Sequence, residues 1–183
     1  MSLLRFFQST KRPTNLNFYP LIIVSLLLVS AITCKMLGII INTTSSMLRG
    51  IYIIDNSPIK RGDIVLFCLS EPYKTIGLER FYIGRSSKCL GAEPLIKKIL
   101  AMPGDNVSLS QNDITVNGIK YTYPTLQKDS NGNQLKVFPR GNYNNTKDYW
   151  MVGTNTTNSW DSRYWGSIKQ SQIISKIKLV LAW

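Results

Sequence analysis

Two side chains in this sequence form a pair suited to nucleophilic catalysis, the hydroxyl of Ser46 and the amine of Lys97. A serine hydroxyl is a weak nucleophile until a base takes its proton. The sequence contains no histidine, which excludes Ser-His-Asp catalysis and argues against a zinc site. Lysine is the usual alternative base. We therefore interpret the pair as a serine nucleophile and a lysine general base that need no cofactor and no metal.

The lysine needs an unusual environment for this role. A free lysine has a pKa of about 10.4 and is protonated at neutral pH, whereas burial lowers the pKa because it disfavours the ammonium form. Lys97 lies in an apolar run, residues 95–102, that predicts a strand. Neighbouring residues of a strand point to opposite faces, so only one of Lys97 and Lys98 is inside. The residues alone leave open which one, and Ser46 is equally consistent with a polar linker.

The region before Ser46 predicts a membrane anchor. Residues 1–18 are basic without an acidic residue, and residues 19–41 are apolar except for Lys35. As a helix this run would be about 34 Å long, enough to cross a bilayer. The basic flank predicts a cytoplasmic N-terminus, and residues 42–183 would be exported. A cleaved signal peptide and a buried core helix are the alternatives, and the resumption of apolar residues after Lys35 favours a retained anchor.

Beyond residue 42 the pattern changes to alternating and β-branched residues, which predicts one mainly β domain. Asn117-Gly118 is a strong hairpin turn. Residues 69–93, 124–148 and 153–166 are rich in polar residues or glycine and are expected to be loops. The predicted strands cover residues 50–54, 63–68, 95–102, 106–109, 114–116, 119–123, 149–152 and 173–181.

The charge of the chain limits the classes of partner, and its cysteines bear on metal binding and on disulfide formation. The net charge of +12 is compatible with nucleic acid or with an anionic membrane surface. The basic residues are scattered, so we expect no nucleic-acid partner and favour the lipid bilayer. Cys34, Cys68 and Cys89 form no metal-type pair. Cys68 and Cys89 either form a disulfide in an oxidising compartment or stay reduced, and the sequence leaves both open.

Four segments together resemble the type I signal peptidase family, serine endopeptidases with a Ser-Lys dyad. Residues 46–52, Ser-Met-Leu-Arg-Gly-Ile-Tyr, resemble the nucleophile box of that family. Residues 97–105, Lys-Lys-Ile-Leu-Ala-Met-Pro-Gly-Asp, resemble its lysine box. Residues 61–65 are similar to the strand between these boxes, and residues 153–166 to the third box. The boxes occur in family order, and the resemblance covers about residues 19–170.

The resemblance implies a role for each matching residue. Ser46 is similar to the nucleophile and Lys97 to the general base, with Lys98 as its solvated neighbour. Ser159 corresponds to the hydroxyl that orients the lysine. Thr44 corresponds to a hydroxyl that helps the backbone amide of Ser46 to form the oxyanion hole, a donor type worth about 2.7–4 kcal/mol in the transition state.

The resemblance also implies the fold and the support of the site. The family fold is a set of coiled β-sheets around the active site, in agreement with the strand pattern above. Asp161 and Arg163 are similar to an ion pair that braces this site. Finer features, such as Thr154 and residues 129–135, resemble the TraF-type peptidases of conjugative plasmid transfer. Leu48 stands where that branch usually has proline.

The function that this resemblance implies is cleavage of an exported precursor protein near the membrane, with a conjugative pilin subunit as the expected substrate. The expected location is the bacterial inner membrane, with a single-pass anchor and the catalytic domain on the periplasmic side. A general signal peptidase I is the alternative within the class. Outside it, the alternatives are a catalytically silent subunit of a secretion apparatus and a soluble self-cleaving repressor of the Ser-Lys type, which the anchor argues against.

Overall fold

The computed structural model describes residues 18–36 and 38–183. The chain divides after Met36 into two compact units. The described part of the first unit consists of Phe18 and helix α1 (Tyr19–Met36). The predicted basic segment 1–18 therefore lies outside the described residues apart from Phe18.

Residues 19–41, predicted to be an anchor, are helical only as far as Met36. Helix α1 has 18 residues and at 1.5 Å per residue extends about 27 Å. Gly38 has a φ of +63°, and residues 39–42 form a strand that pairs with residues 50–53. No helix among the described residues has the length and apolar character needed to cross a membrane.

The second unit is built mainly from strands, as the alternating pattern predicts. Two short helices interrupt it, α2 (Tyr73–Glu79) and α3 (Ser162–Trp165), and a 3₁₀ turn covers Gln170–Gln172. In chain order the strands are β1 (Ile39–Asn42), β2 (Gly50–Ile54), β3 (Ile64–Phe67), β4 (Arg85–Ser86), β5 (Gly91–Ala92), β6 (Leu95–Ala101), β7 (Val107–Leu109), β8 (Asp113–Val116), β9 (Ile119–Thr122), β10 (Gly141–Tyr143), β11 (Trp150–Val152) and β12 (Ile173–Ala182).

The strands form three antiparallel sheets. The largest has six strands in the order β1-β2-β12-β3-β6-β11, the second has four in the order β10-β7-β8-β9, and β4 pairs with β5. In the largest sheet the C-terminal strand β12 pairs with β2 on one side and with β3 on the other. This sheet brings together the strand that follows Ser46, the strand that carries Lys97 and the strand that precedes the third box.

Strand β6 lies between two cores because successive side chains of a strand point to opposite faces. Ile99 packs in one buried cluster with Phe67, Met151 and Trp165. Leu100 packs in another, with Trp150 and residues of the second sheet. The hairpin at Asn117 has positive φ at both turn residues, 49° and 82°, as a type I′ turn requires.

All three predicted loop regions contain regular structure, and residues 124–148 include β10. Residues 69–93 contain α2 and the β4-β5 pair, with a buried cluster of Ile83, Cys89 and Ala92. Residues 153–166 were predicted to be a polar loop, but residues 161–166 are buried and include α3. Burial of this polar segment is feasible because its charges pair with each other, as the site geometry shows.

Candidate active site

The loop between β1 and β2 carries Ser46 and is shaped by one buried amide. Asn42 is 3% exposed. Its Nδ2 donates to the carbonyl oxygens of Thr44 at 3.2 Å, Met47 at 3.3 Å and Leu48 at 2.9 Å. The hydroxyl of Tyr52 also donates to the Leu48 carbonyl, at 2.7 Å. The backbone on both sides of Ser46 is therefore fixed before any substrate binds.

The Thr44 hydroxyl is engaged within the same loop. It donates to Asn42 Oδ1 at 2.7 Å, and the Thr44 amide donates to the same oxygen at 3.1 Å. Its predicted part in an oxyanion hole stays a prediction, since the hydroxyl would have to leave Asn42 to donate to a substrate oxygen. Met47 is buried against Tyr52 and Ile96, whereas Ser46 is half-buried and lines a cavity.

Lys97 is the buried member of the lysine pair. It lies in the middle of β6, opposite Val65 of β3, and is 3% exposed. Lys98 is half-buried. Burial lowers the pKa of Lys97 to about 8, while the charge of Asp161 opposes this shift and that of Arg163 adds to it. A substantial fraction of this amine is thus neutral near pH 8, which a general base requires.

Asp161 and Arg163 form a buried ion pair behind the site. Arg163 Nε lies 2.8 Å from Asp161 Oδ1, and Arg163 Nη2 lies 2.8 Å from Asp161 Oδ2. The same Nη2 donates to the Ser159 carbonyl at 2.8 Å, and Nη1 donates to the Pro124 carbonyl. Asp161 Oδ2 also accepts from the Gly153 amide at 3.0 Å. These bonds satisfy both charges and hold the third box rigid.

The third box contacts the nucleophile loop through its backbone. The Asn155 amide donates to the Ser46 carbonyl at 3.2 Å, and Asn155 Nδ2 donates to the Ser45 carbonyl at 3.0 Å. Gly153 lies so close to both parts that a Cβ there would be 2.1 Å from Ser159 Oγ and 2.9 Å from the Ser46 carbonyl oxygen. Only glycine at position 153 therefore allows the third box and the nucleophile loop to lie this close together.

Ser159 is 2% exposed, and its hydroxyl has no hydrogen-bond partner within the described part of the chain. The expected hydrogen bond to Lys97 is not formed in this structure. A buried hydroxyl without a partner is costly and points to use by another group. Catalytic hydrogen bonds are often long without substrate and tighten when it binds.

One cavity of about 720 Å³ joins these residues. It is lined by four of the side chains predicted for catalysis, Thr44, Ser46, Lys97 and Ser159. A second wall comes from residues 81–84 and the hairpin around residues 128–130. The predicted catalytic residues therefore meet at a space large enough for a peptide segment.

Sequence reasoning missed the residues that hold this arrangement. Asn42 and Asn155 were assigned no role because an amide has no reactivity of its own. Asp105, at the end of the lysine box, ties that box to its neighbours. Its carboxylate lies 2.5 Å from Arg61 Nη2 and accepts from Asn117 Nδ2 at 2.7 Å.

The two cysteines left open by the sequence form a disulfide. Cys68 follows β3 and Cys89 precedes β5, with their Cα atoms 5.3 Å apart. The bond closes the segment that carries α2 and one wall of the cavity. This segment has only a small core of its own, so a covalent link limits its motion relative to β3.

Comparison with known proteins places this geometry in a family. The profile of the family described as signal peptidase, peptidase S26, matches residues 14–183. A plasmid transfer protein TraF of Escherichia coli is 32% identical over 154 residues, which are 80% of this chain and 84% of that protein. A probable signal peptidase I-2 of Synechocystis is 28% identical over 121 residues, 64% of this chain and 45% of that protein.

A solved signal peptidase I from Enterococcus faecalis aligns with 69% of this chain and all of that chain, with a TM-score of 0.36 and 17% sequence identity. The family match spans the whole of the second unit and extends into the first. It includes the nucleophile loop, strand β6 and the third box. The chain therefore belongs to the signal peptidase family, peptidase S26, and is a serine endopeptidase of the TraF type.

Proposed function

We propose that the chain cleaves an exported precursor protein with Ser46 as nucleophile and Lys97 as general base, and that this precursor is a conjugative pilin subunit. The observation that carries the proposal is the burial of Lys97 beside the cavity that Ser46 also lines. A lysine buried at this cost to stability serves little purpose in a silent subunit. A pKa of about 8 suits a base that works near neutral pH.

In the proposed reaction the neutral amine of Lys97 takes the proton of the Ser46 hydroxyl as its oxygen attacks the scissile carbonyl carbon. Lys97 then returns this proton to the leaving amine, and the precursor is held as an ester on Ser46. A water molecule, deprotonated by the same lysine, then attacks the ester carbonyl carbon. The Ser46 oxygen leaves and takes this proton back from Lys97, and the carboxylic acid product is released. Burial keeps the pKa of Lys97 near the working pH, so that the amine can both take and return a proton.

The oxyanion of the tetrahedral intermediate would be bound by the Ser46 backbone amide and the Thr44 hydroxyl. Asn42 supports this arrangement, since it holds the carbonyls of Thr44 and Met47 and so orients the intervening amides. The unpartnered hydroxyl of Ser159 would bond the Lys97 amine once substrate excludes water from the cavity.

The TraF relative supports the choice of substrate. This chain covers 84% of that plasmid transfer protein but only 45% of the probable signal peptidase I-2. A larger share of the plasmid-transfer relative than of the probable signal peptidase I-2 is therefore aligned with this chain. A general signal peptidase I is the alternative within the class.

We infer further that the enzyme works at the outer face of the inner membrane. The disulfide between Cys68 and Cys89 supports an oxidising compartment. The apolar side chains around α1 support contact with lipid, since residues such as Leu21, Leu27 and Val29 are more than half exposed. Protease added to spheroplasts tests this location, because it should digest the catalytic unit without cell lysis.

Comparative cleavage tests the proposed substrate. The full chain would be produced in the cell membrane together with either a conjugative pilin precursor or an ordinary signal-peptide-bearing precursor. We expect cleavage of the pilin precursor to be at least tenfold faster, and Ser46→Ala to abolish it. Equal rates for both precursors would favour the general signal peptidase. Cleavage that persists with Ser46→Ala would refute the dyad.

A further inference from the structure

Helix α2 ends in a motif that normally requires glycine. The Tyr82 amide donates to the Gly77 carbonyl at 2.8 Å, and the Phe81 amide donates to the Leu78 carbonyl at 3.3 Å. This is the Schellman pattern, in which the residue after the C-cap takes a left-handed backbone. Phe81 occupies that position with a φ of 57°. A bulky side chain is unfavourable there, and glycine is the usual solution.

The fold gains no burial in return. The Phe81 side chain is 91% exposed, whereas Ile83, two residues later, is 6% exposed and packs with Cys89 and Ala92. The strain is therefore not offset by packing within the described chain. Strained backbone that persists without a structural benefit is concentrated at sites of function.

Phe81 lines the cavity that also contains Ser46 and Lys97. Its neighbour fixes it there. The ring of Tyr82 packs at a tilt against Trp160 with centroids 5.0 Å apart, and its hydroxyl donates to Asp129 Oδ2 at 2.6 Å. Trp160 directly follows Ser159 in the chain. The residue next to Phe81 is thus in contact with the residue next to Ser159, which lies on the catalytic side of the cavity.

A second residue of the same segment serves as an internal comparison. Leu90 also has a left-handed backbone, with a φ of 52°, and is 88% exposed. It directly follows Cys89 of the disulfide but does not line the cavity. The two positions share backbone strain, exposure and apolar chemistry, and they differ in access to the site.

We propose that Phe81 is a specificity-determining residue whose ring contacts a large apolar side chain of the precursor in the cavity. The proposal rests on the endopeptidase function of the site. Leu126 and Leu135 line the same cavity, so an apolar side chain would find further apolar surface beside the ring. A contact between a ring and an aliphatic or aromatic side chain contributes most binding free energy when it removes both from water.

Peptide binding tests this inference independently of cleavage. The probes are labelled ten-residue peptides that span the cleavage site of the pilin precursor, with alanine, leucine or phenylalanine at one position at a time. Binding is measured by fluorescence anisotropy in a Ser46→Ala background, and kcat and KM are measured with Ser46 intact. The variants are Phe81→Ala, Phe81→Leu and, as the matched control, Leu90→Ala.

At one peptide position we expect leucine or phenylalanine to bind more tightly than alanine. Phe81→Ala should weaken binding of those peptides about five- to tenfold, as for loss of one well-placed anchor, and leave the alanine peptide unchanged. For Phe81→Ala, KM should rise while kcat stays unchanged. Phe81→Leu should retain part of the preference for apolar peptides. Leu90→Ala should bind all peptides as tightly as the protein with Leu90 does. Phe81→Gly should raise Tm, since it relieves the left-handed strain.

The inference is wrong if no peptide position shows an apolar preference, or if Phe81→Ala and Leu90→Ala change binding equally. A fall in Tm with Phe81→Gly would also overturn it, because Phe81 would then support the fold. Failure of the proposed dyad is seen separately, as cleavage that survives Ser46→Ala while binding retains its dependence on Phe81.

Discussion

The side-chain amide of Asn155 donates a 3.0 Å hydrogen bond to the carbonyl oxygen of Ser45, 110 residues earlier in the chain. The Asn155 backbone amide donates to the next carbonyl, that of Ser46, at 3.2 Å. Asn42 holds the same loop from within. The loop that carries the nucleophile is therefore held from two sides by amides that take no part in the chemistry.

Alanine substitution tests the dyad. We expect Ser46→Ala and Lys97→Ala to reduce cleavage to background with little loss of folded protein, because each removes one partner of the proton transfer. Lys98→Ala is the matched control, since Lys98 adjoins Lys97 on β6 but is only half-buried. Cleavage of the precursor and circular dichroism provide the readouts. Equal loss from Lys98→Ala would contradict the assignment.

The pH profile follows from the lowered pKa of Lys97. The amine is protonated and inactive as a base below about pH 8 and neutral above it. We therefore expect kcat/KM to rise about tenfold per pH unit below pH 8 and to level off above it. Steady-state rates with an uncharged peptide between pH 6 and 9.5 test this. A rise centred near pH 10.5, as for a free amine, would be inconsistent with a buried base.

Lys97→Met should stabilise the protein at neutral pH. The pKa of Lys97 falls from 10.5 to about 8 on folding, so the unfolded chain binds more protons between these values. Its destabilising effect is full below pH 8 and fades as the pH rises to 10.5. Removal of the amine should raise the free energy of unfolding by roughly 3 kcal/mol at pH 7 and by little at pH 10.5. Urea unfolding at both values provides the measurement.

Gly153→Ala should destabilise the protein and abolish cleavage, because the added methyl group would lie 2.1 Å from Ser159 Oγ and 2.9 Å from the Ser46 carbonyl. Overpacking of this kind costs about 1–3 kcal/mol. Gly84→Ala is the control, since its methyl group would meet only the flexible end of the Glu93 side chain. Thermal unfolding should show a lower Tm for the first variant only. Similar Tm values for Gly153→Ala and Gly84→Ala would mean that the loop carrying Ser46 shifts to make room for the methyl group.

Asn155→Asp should lower kcat more than it raises KM. The carboxylate has the size of the amide but cannot donate to the Ser45 carbonyl, so it repels that oxygen. We expect kcat to fall about tenfold, because the hydrogen bond to the Ser45 carbonyl is lost and two oxygens then repel each other. Asn131→Asp, in the exposed hairpin, should match the parent. An unchanged kcat in Asn155→Asp would show that the loop keeps its shape without this bond.

The sequence predicted most strands but could not choose between alternatives that depend on distant partners. The run 39–41 is apolar in either a helix or a strand, and its pairing with β2 decides between them. Lys97 and Lys98 have similar neighbours along the chain, and the sheet partners of β6 decide which is buried.

The third box was misjudged for a related reason. Its polar residues predict exposure, yet Asp161 and Arg163 are at most 1% exposed by side chain. Each satisfies the other, and the remaining donors of Arg163 reach backbone carbonyls on both sides. Local composition cannot show such mutual satisfaction, because the acceptors include Pro124, which lies far from this segment in the chain.

The position of β12 has a consequence for synthesis of the protein. The hairpin that carries Ser46 joins the rest of the large sheet through this last strand, which lies between β2 and β3. Residues 173–182 thus form the sheet link between the hairpin of Ser46 and the strands that include Lys97, in addition to the contacts of Asn155 with the Ser46 loop. Pairing between the two parts of the large sheet is therefore complete only after β12 has been synthesised.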